Sequence, residues 1–415
     1  MSSTPLNIQA GTSIPAADAE EEPSFPSYDG PPFLSYGFRP FFLSASLFAG
    51  LAVPIWVRLF AGAGSASFLY PPRDWHVHEM LFGFLSAVIA GFLLTAIPNW
   101  TGRAPLRGIP LLALWLLWLA GRLCLAVPAA SPITVAALDA SFLIVLASLL
   151  WRELYAVSAR AQMPIAVMIT LYAAANLLFH AAALRGLSTD LPERLVLALI
   201  MLLLTVIGGR LTPNLTREFL AQSGTARLPA DFSRLDVVAM LSVLIAAVIW
   251  IVGPDLPAAG WAFIAAGVMN VARLLRWYGW VAYREPLVLI LHIGYGWVAI
   301  SLLVLGDTVL GAGMPQANAL HTLTTGAVGA MTLAVMTRAS LGHTGRAKRA
   351  GALTVVIYLL VNVGALLRIL VPQSESPTAL THTILQLSAA AWSGAYLLFA
   401  VAYGPLLVRR SLDEP

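Results

Sequence analysis

A chain of 415 residues that is 59% hydrophobic and 11% charged, with a mean hydropathy of +0.81, is not an ordinary soluble protein, because soluble domains carry roughly 25% charged residues. The net charge of +4 comes from basic residues at the ends of apolar stretches rather than in a groove, so no nucleic-acid partner is expected. The single cysteine, Cys124, excludes a disulfide framework and a thiolate iron–sulfur cluster, and no CxxCH motif for covalent haem is present.

Residues 1–35 are rich in Ala, Ser, Pro, Asp and Glu without periodicity and include the run Asp18–Ala19–Glu20–Glu21–Glu22. No Lys or Arg precedes Arg39, so the basic region of a signal peptide is missing and a disordered cytoplasmic tail is predicted. Residues 36–410 read as a single all-α polytopic membrane domain. A span needs about 20 largely apolar residues. Twelve such stretches follow in order, near 40–62, 76–98, 109–128, 132–151, 162–184, 191–208, 235–253, 257–278, 286–305, 316–339, 351–371 and 379–407. The longest connection, about 209–234, is too short to fold alone. Lys and Arg gather after the even-numbered spans, as in Arg103 and Arg107, Arg152 and Arg160, and Arg409 and Arg410. That bias predicts both termini on the cytoplasmic side.

Spans 2, 6 and 10 end alike, in Pro98–Asn99–Trp100–Thr101–Gly102–Arg103, Pro213–Asn214–Leu215–Thr216–Arg217 and Gly342–His343–Thr344–Gly345–Arg346. Arg103, Arg217 and Arg346 lie 114 and 129 residues apart, each interval enough for four spans. Three pseudo-repeated four-helix units in one orientation are therefore predicted, in contrast to the six-plus-six plan of many transporters.

Seven histidines sit in this oil, and imidazole is the commonest metal ligand. Trp75–His76–Val77–His78–Glu79–Met80 opens span 2 on the side away from the termini. Positions two apart on a helix face roughly 200° away from each other. His76 and His78 are thus expected to play separate parts, one on a haem iron and the other on a second metal or supporting a ligand. Glu79 is the candidate proton carrier, and an interfacial cap is the plainer alternative for all three. His321 lies just inside span 10 beside Thr322, Thr325, Gly326 and Gly329, small enough to admit a flat macrocycle, and is expected to join His78. His180 ends span 5 at the same level, four residues after Asn176. His292 falls about 10 Å inside the opposite face at 1.5 Å per residue, suited to a separate centre or a polar channel. His343 lies in a loop at that end, and His382 at the start of span 12 is read as incidental. Arg73 and Arg210 suit haem propionates, because guanidinium pairs with carboxylate bidentately. Arg39 is read as a snorkelling anchor.

The runs 37–42 (GFRPFF), 75–83 (WHVHEMLFG), 91–103 (GFLLTAIPNWTGR), 291–297 (LHIGYGW) and 321–346, with its MTLAVMTRASLGHTGR portion, resemble the NnrS family over nearly the whole membrane part. The resemblance implies a bacterial inner-membrane protein with haem b and copper, tied to nitric oxide metabolism in denitrification and nitrosative stress. It places His76, His78, Glu79, His180, His292, His321 and His343 at the family's polar positions, without saying which holds which metal. It leaves open reduction of nitric oxide to nitrous oxide, binding or sensing without turnover, and transport. Reduction would draw electrons from quinol or a separate donor protein, since no flavin or c-type haem signature is present. For the site, the expectation is Glu79 in catalysis, His78, His321, His292, Arg73 and Arg210 around haem, and His76, His180 and His343 on metal.

Overall fold

The computed structural model describes residues 25, 27–62, 68–127, 130–224, 227–311, 313–373 and 378–412. Residues 1–24 of the predicted tail lie outside them. The end of that tail belongs to the fold: Pro32–Leu34 form a short 3-10 turn, Leu34 and Ser35 are buried, and Leu34 accepts a hydrogen bond from the Gly108 amide.

Among the described residues twelve helices are long and apolar enough to cross a membrane. They are α1 (Phe38–Phe60), α2 (Pro72–Thr101), α3 (Ile109–Ala126), α4 (Pro132–Ala156), α5 (Arg160–Leu184) and α6 (Asp190–Gln222), followed by α7 (Arg234–Val252), α8 (Pro257–Leu275), α9 (Pro286–Val309), α10 (Gln316–Gly342), α11 (Ala352–Ile369) and α12 (Ala379–Val408). Local chemistry sets their ends. Proline occupies the first turn of α2, α3, α4, α8 and α9, where its missing N–H costs nothing. Gly102, at φ 66°, ends α2 in the left-handed region that glycine enters freely.

The loop expected over about 209–234 is helical in its first half. Gly209–Gln222 continues α6 and buries Thr212, Thr216 and Leu220 at fourfold spacing, with Arg210 and Asn214 exposed. Such an amphipathic turn averages to low hydropathy and so escapes a search for apolar runs.

Helices pack in a ring. α3 packs on α4, α7 on α8 and α11 on α12; α4 packs on α5, α8 on α9, and α12 closes onto α1. Arg39 fastens that closure. It is buried, not snorkelling: Nη1 donates to the carbonyls of Leu406, Leu407 and Arg409 at 3.3, 3.2 and 2.6 Å, and Nη2 to Ser411 Oγ at 2.9 Å. A cation thereby satisfies the open carbonyls at the end of α12.

α2, α6 and α10 each contain one π segment, at Glu79–Phe84, Leu204–Gly208 and Thr322–Val328. A π turn disturbs the hydrogen-bond ladder, and lipid offers no water to the carbonyls it frees. Neighbouring side chains replace that water. Tyr172 donates to Leu81 O, Arg122 to Phe82 O at 3.2 Å and Trp118 to Gly83 O at 2.9 Å. In α6, Arg273 donates to Thr205 O at 2.8 Å. We propose that the chain is three four-helix units, a reading supported by the recurring helix pairs and by one π segment at the same place in each.

Candidate functional site

Two polar regions lie in the half of the bundle remote from the termini, on opposite faces of α2. The helix is α-helical through His78 and turns π at Glu79, so His76 and His78 keep the wide angular separation of positions two apart.

On the first face is a cavity of about 630 Å³, bounded by Trp56 of α1, His76 and Met80 of α2, Arg194 of α6, Trp250 of α7, His321 and Thr325 of α10, Arg368 of α11 and Trp392 of α12. His76 stacks on Trp56, with ring centroids 4.2 Å apart. Across from it stands His321, its ring within 10° of parallel and its centroid 6.5 Å away. His321 Nδ1 lies 2.5 Å from Ala317 O. A carbonyl can only accept, so Nδ1 carries the proton and Nε2 keeps its lone pair for another partner. Several wall residues hold buried polar atoms without a hydrogen bond: His76 Nδ1, Trp56 Nε1, Trp392 Nε1, Arg194 Nε and Arg368 Nε. Each such atom ordinarily costs about 1–3 kcal/mol, and their concentration around one cavity gives water or a polar ligand several groups to bond. Arg73 stands at the mouth, held by Asp74 at 2.9 Å, Glu193 at 2.7 Å and Asp190 at 3.5 Å.

The second face is solid and charged. His78 Nδ1 meets Glu79 Oε1 at 3.0 Å, and His78 Nε2 meets Asn176 Oδ1 at 3.0 Å and Asp139 Oδ2 at 3.2 Å. Asp139 Oδ2 also meets His180 Nε2 at 2.9 Å, and His180 Nδ1 meets the Tyr70 hydroxyl at 2.5 Å. Arg122 pairs with both acids, Asp139 through Nη2 and Glu79 through Nε at 3.1 Å. All of these side chains are buried. With neutral imidazoles the cluster holds two carboxylates against one guanidinium. An uncompensated charge at this depth is costly, so the geometry calls for one more positive charge. His78, Asp139 and His180 offer ligand atoms all within 4.8 Å of one another, enough to hold a metal ion. The remaining imidazole nitrogens are already oriented by oxygen partners, Glu79 and Tyr70, as metal-binding histidines usually are. Two nitrogens and a carboxylate suit copper, zinc or iron.

The structure exchanges the expected partners. His321 faces His76, while His78 is joined to His180, because the two-residue offset on α2 sends the imidazoles to different neighbours. His343 lies at the other end of the bundle, where its ring sits 5.6 Å from Phe38 and 6.3 Å from Tyr36, so it does not meet His76 or His180. Arg210 is exposed on the amphipathic extension of α6 and does not line the cavity. His292 is likewise outside the cavity, its Nε2 2.8 Å from the Thr216 hydroxyl. His382 belongs to neither region.

Asp139, Arg122, Arg368, Arg194, Asn176 and Tyr70 were not singled out from the sequence as ligands or partners, Asn176 having been noted only as a neighbour of His180. Three carried a signal. Asp139, Arg122 and Arg368 are the sole charged residues of their apolar stretches 132–151, 109–128 and 351–371, and an ionisable group inside a span marks function or a partner. Tyr70 precedes α2 in a connection and carried none.

A family model described as NnrS protein matches residues 32–411. No curated protein matches the chain.

Proposed function

Because the chain belongs to the NnrS family, whose name ties it to nitric oxide metabolism or response, we propose that it reduces nitric oxide to nitrous oxide at a haem held between α2 and α10. The observation that carries this reading is the facing pair His76 and His321, parallel within 10° and 6.5 Å apart at the edge of a cavity of about 630 Å³. Either imidazole could hold the iron of a haem lodged in this cavity. Arg368 and Arg194 in the wall and Arg73 at the mouth supply the guanidinium groups that propionate carboxylates take. Haem b, when bound, supplies a redox iron able to take up nitric oxide and pass electrons to it.

The reaction balances as two nitric oxide molecules, two electrons and two protons giving one nitrous oxide and one water. Electrons arrive from quinol or a donor protein. Nitric oxide is small and apolar enough to enter through lipid. Glu79 lies on the other face of α2, paired with Arg122 and bonded to His78, and is the carboxylate that would relay protons toward the cavity in this reading. The His78–Asp139–His180 group is assigned to copper, whose positive charge would offset the surplus carboxylate. The setting is the bacterial inner membrane, with both termini cytoplasmic.

The same pair favours a second reading. Held by both imidazoles the group would serve electron transfer, and held by one it would leave room to capture nitric oxide without turnover. Reduced, purified protein exposed to nitric oxide separates the two. Production of nitrous oxide selects reduction, a Soret shift without product selects sensing, and a haem-free folded protein defeats both.

A further inference from the structure

We propose that the cavity between α2 and α10 binds a small monovalent inorganic anion, of the class of nitrite or azide, at Arg368. The site goes beyond the haem, because the call for an anion comes from the wall itself. Arg368 stands in the last turn of α11, 8% exposed, and lines the cavity. No carboxylate pairs with it among the described residues. Its one hydrogen bond among them runs from Nη1 to Asn318 Oδ1 at 3.1 Å, and Nε is buried without a partner. Asn318 is fixed in turn. Its Nδ2 donates to Ile369 O at 3.1 Å and Val371 O at 2.9 Å, and Oδ1 also accepts from Gln373 Nε2 at 2.9 Å. A neutral amide thus holds the guanidinium in place and leaves its charge uncancelled. Arg122, the lone charge of α3, meets two carboxylates instead.

A buried cation without a counter-charge is costly within a membrane. The rest of the wall offers none. Asp190 and Glu193 face Arg73 at 3.5 and 2.7 Å, and Asp255 is exposed. Four of the wall's five unbonded polar atoms, Trp56 Nε1, Trp392 Nε1, Arg194 Nε and Arg368 Nε, can only donate. Water could accept from them but brings no charge to Arg368. Val371, Leu385 and Trp392 line the same cavity, which favours an anion of few atoms that sheds its water readily. A weakly hydrated guanidinium suits such a buried pair. Three guanidinium groups border the cavity, one more than a haem has propionates, and the charge of Arg368 acts on both His76 and His321. An anion on Arg368 therefore sits beside the imidazole pair.

The test is calorimetry of nitrite and azide binding to the full-length protein in detergent, with haem assayed in the same samples and sodium gluconate as the bulky control. Arg368→Gln should weaken both anions roughly 10–100-fold and leave haem content unchanged. Asn318→Asp, which hands Arg368 a carboxylate, should weaken them as much. Arg210→Gln, exposed outside the cavity, should change nothing, and cooperative melting confirms that each variant is folded. A haem-free wild type that binds nitrite through Arg368 would keep this site and end the haem reading. No binding by the wild type, equal affinity in wild type and both variants, gluconate bound as tightly as nitrite, or haem lost from Arg368→Gln with anion affinity unchanged would each overturn the proposal.

Discussion

Two arginines are buried in this bundle beside π turns, and their surroundings differ in an instructive way. Every guanidinium nitrogen of Arg273 in α8 is bonded: Nε to Asp236 at 2.7 Å, Nη1 to Thr205 O and to the Tyr295 hydroxyl at 2.8 Å each, and Nη2 to Gly209 O at 3.4 Å. The Tyr295 hydroxyl donates in turn to Asn270 Oδ1, and Arg276 shares Asp236 at 3.2 Å. Two cations share one acid, no imidazole joins, and no nitrogen of Arg273 lacks a partner. This is a lock on the π turn of α6. Arg122 in α3 does the same service for the π turn of α2 through Phe82 O, yet its surroundings hold a surplus carboxylate and two imidazoles. A buried charge by itself therefore says little about function, since structural ion pairs are common. A surplus of carboxylate together with convergent ligand atoms distinguishes a centre from a lock.

The comparison can be broken at several points. The largest effect should come from Arg273→Ala, which leaves Asp236 only Arg276 and Ser233 and takes the donor from Thr205 O in the π turn and from Gly209 O just after it; it should cost about 3–5 kcal/mol of stability, read by thermal or denaturant melting. Arg122→Ala should cost as much in metal-free protein and less in protein loaded with copper, because the added ion replaces part of the lost charge. Equal losses in both states would make Arg122 a lock like Arg273.

Next in size, Tyr70→Phe and Glu79→Leu remove the oxygens that orient His180 and His78, and metal affinity at the cluster should fall roughly 10–100-fold with the helical fold intact. Copper binding followed by calorimetry checks this; unchanged affinity would mean the trio does not ligate. A smaller change is expected from Tyr172→Phe. It leaves Leu81 O without its donor and should cost about 1–3 kcal/mol without changing metal stoichiometry. At the bottom of the scale, Arg210→Ala and His343→Ala should leave haem content unaltered, whereas His321→Ala should reduce it. Haem lost equally in all three would remove the distinction drawn between cavity and periphery.

The sequence displays the fold in the currency it was read in, apolar length. Each of the twelve stretches falls on a spanning helix, because the cost of unpaired backbone in lipid leaves a long apolar run only one conformation. The missing half of α6 fails that test for the complementary reason: Thr212, Thr216 and Leu220 face protein, and the polar residues between them pull the average down. The site was legible in part. The pattern of His76 and His78 shows that two faces are in use, since that follows from helical periodicity alone. Which histidine meets which depends on the packing of α5 and α10 against those faces, and no local pattern carries it. The π turns were invisible as well, as they are held by Tyr172, Trp118 and Arg122 from other helices. Asp139 was visible as a lone acid in an apolar stretch, and it proved to be the residue that joins His78 to His180.

Haem and metal content of the detergent-purified protein, measured on the wild type beside His76→Ala/His321→Ala and His78→Ala/His180→Ala, tests the central claim most directly. Two separate centres predict that the first pair loses haem and keeps its metal ion, while the second loses the metal ion and keeps haem. A folded wild type free of both, or two variant pairs with the same content, would contradict the account.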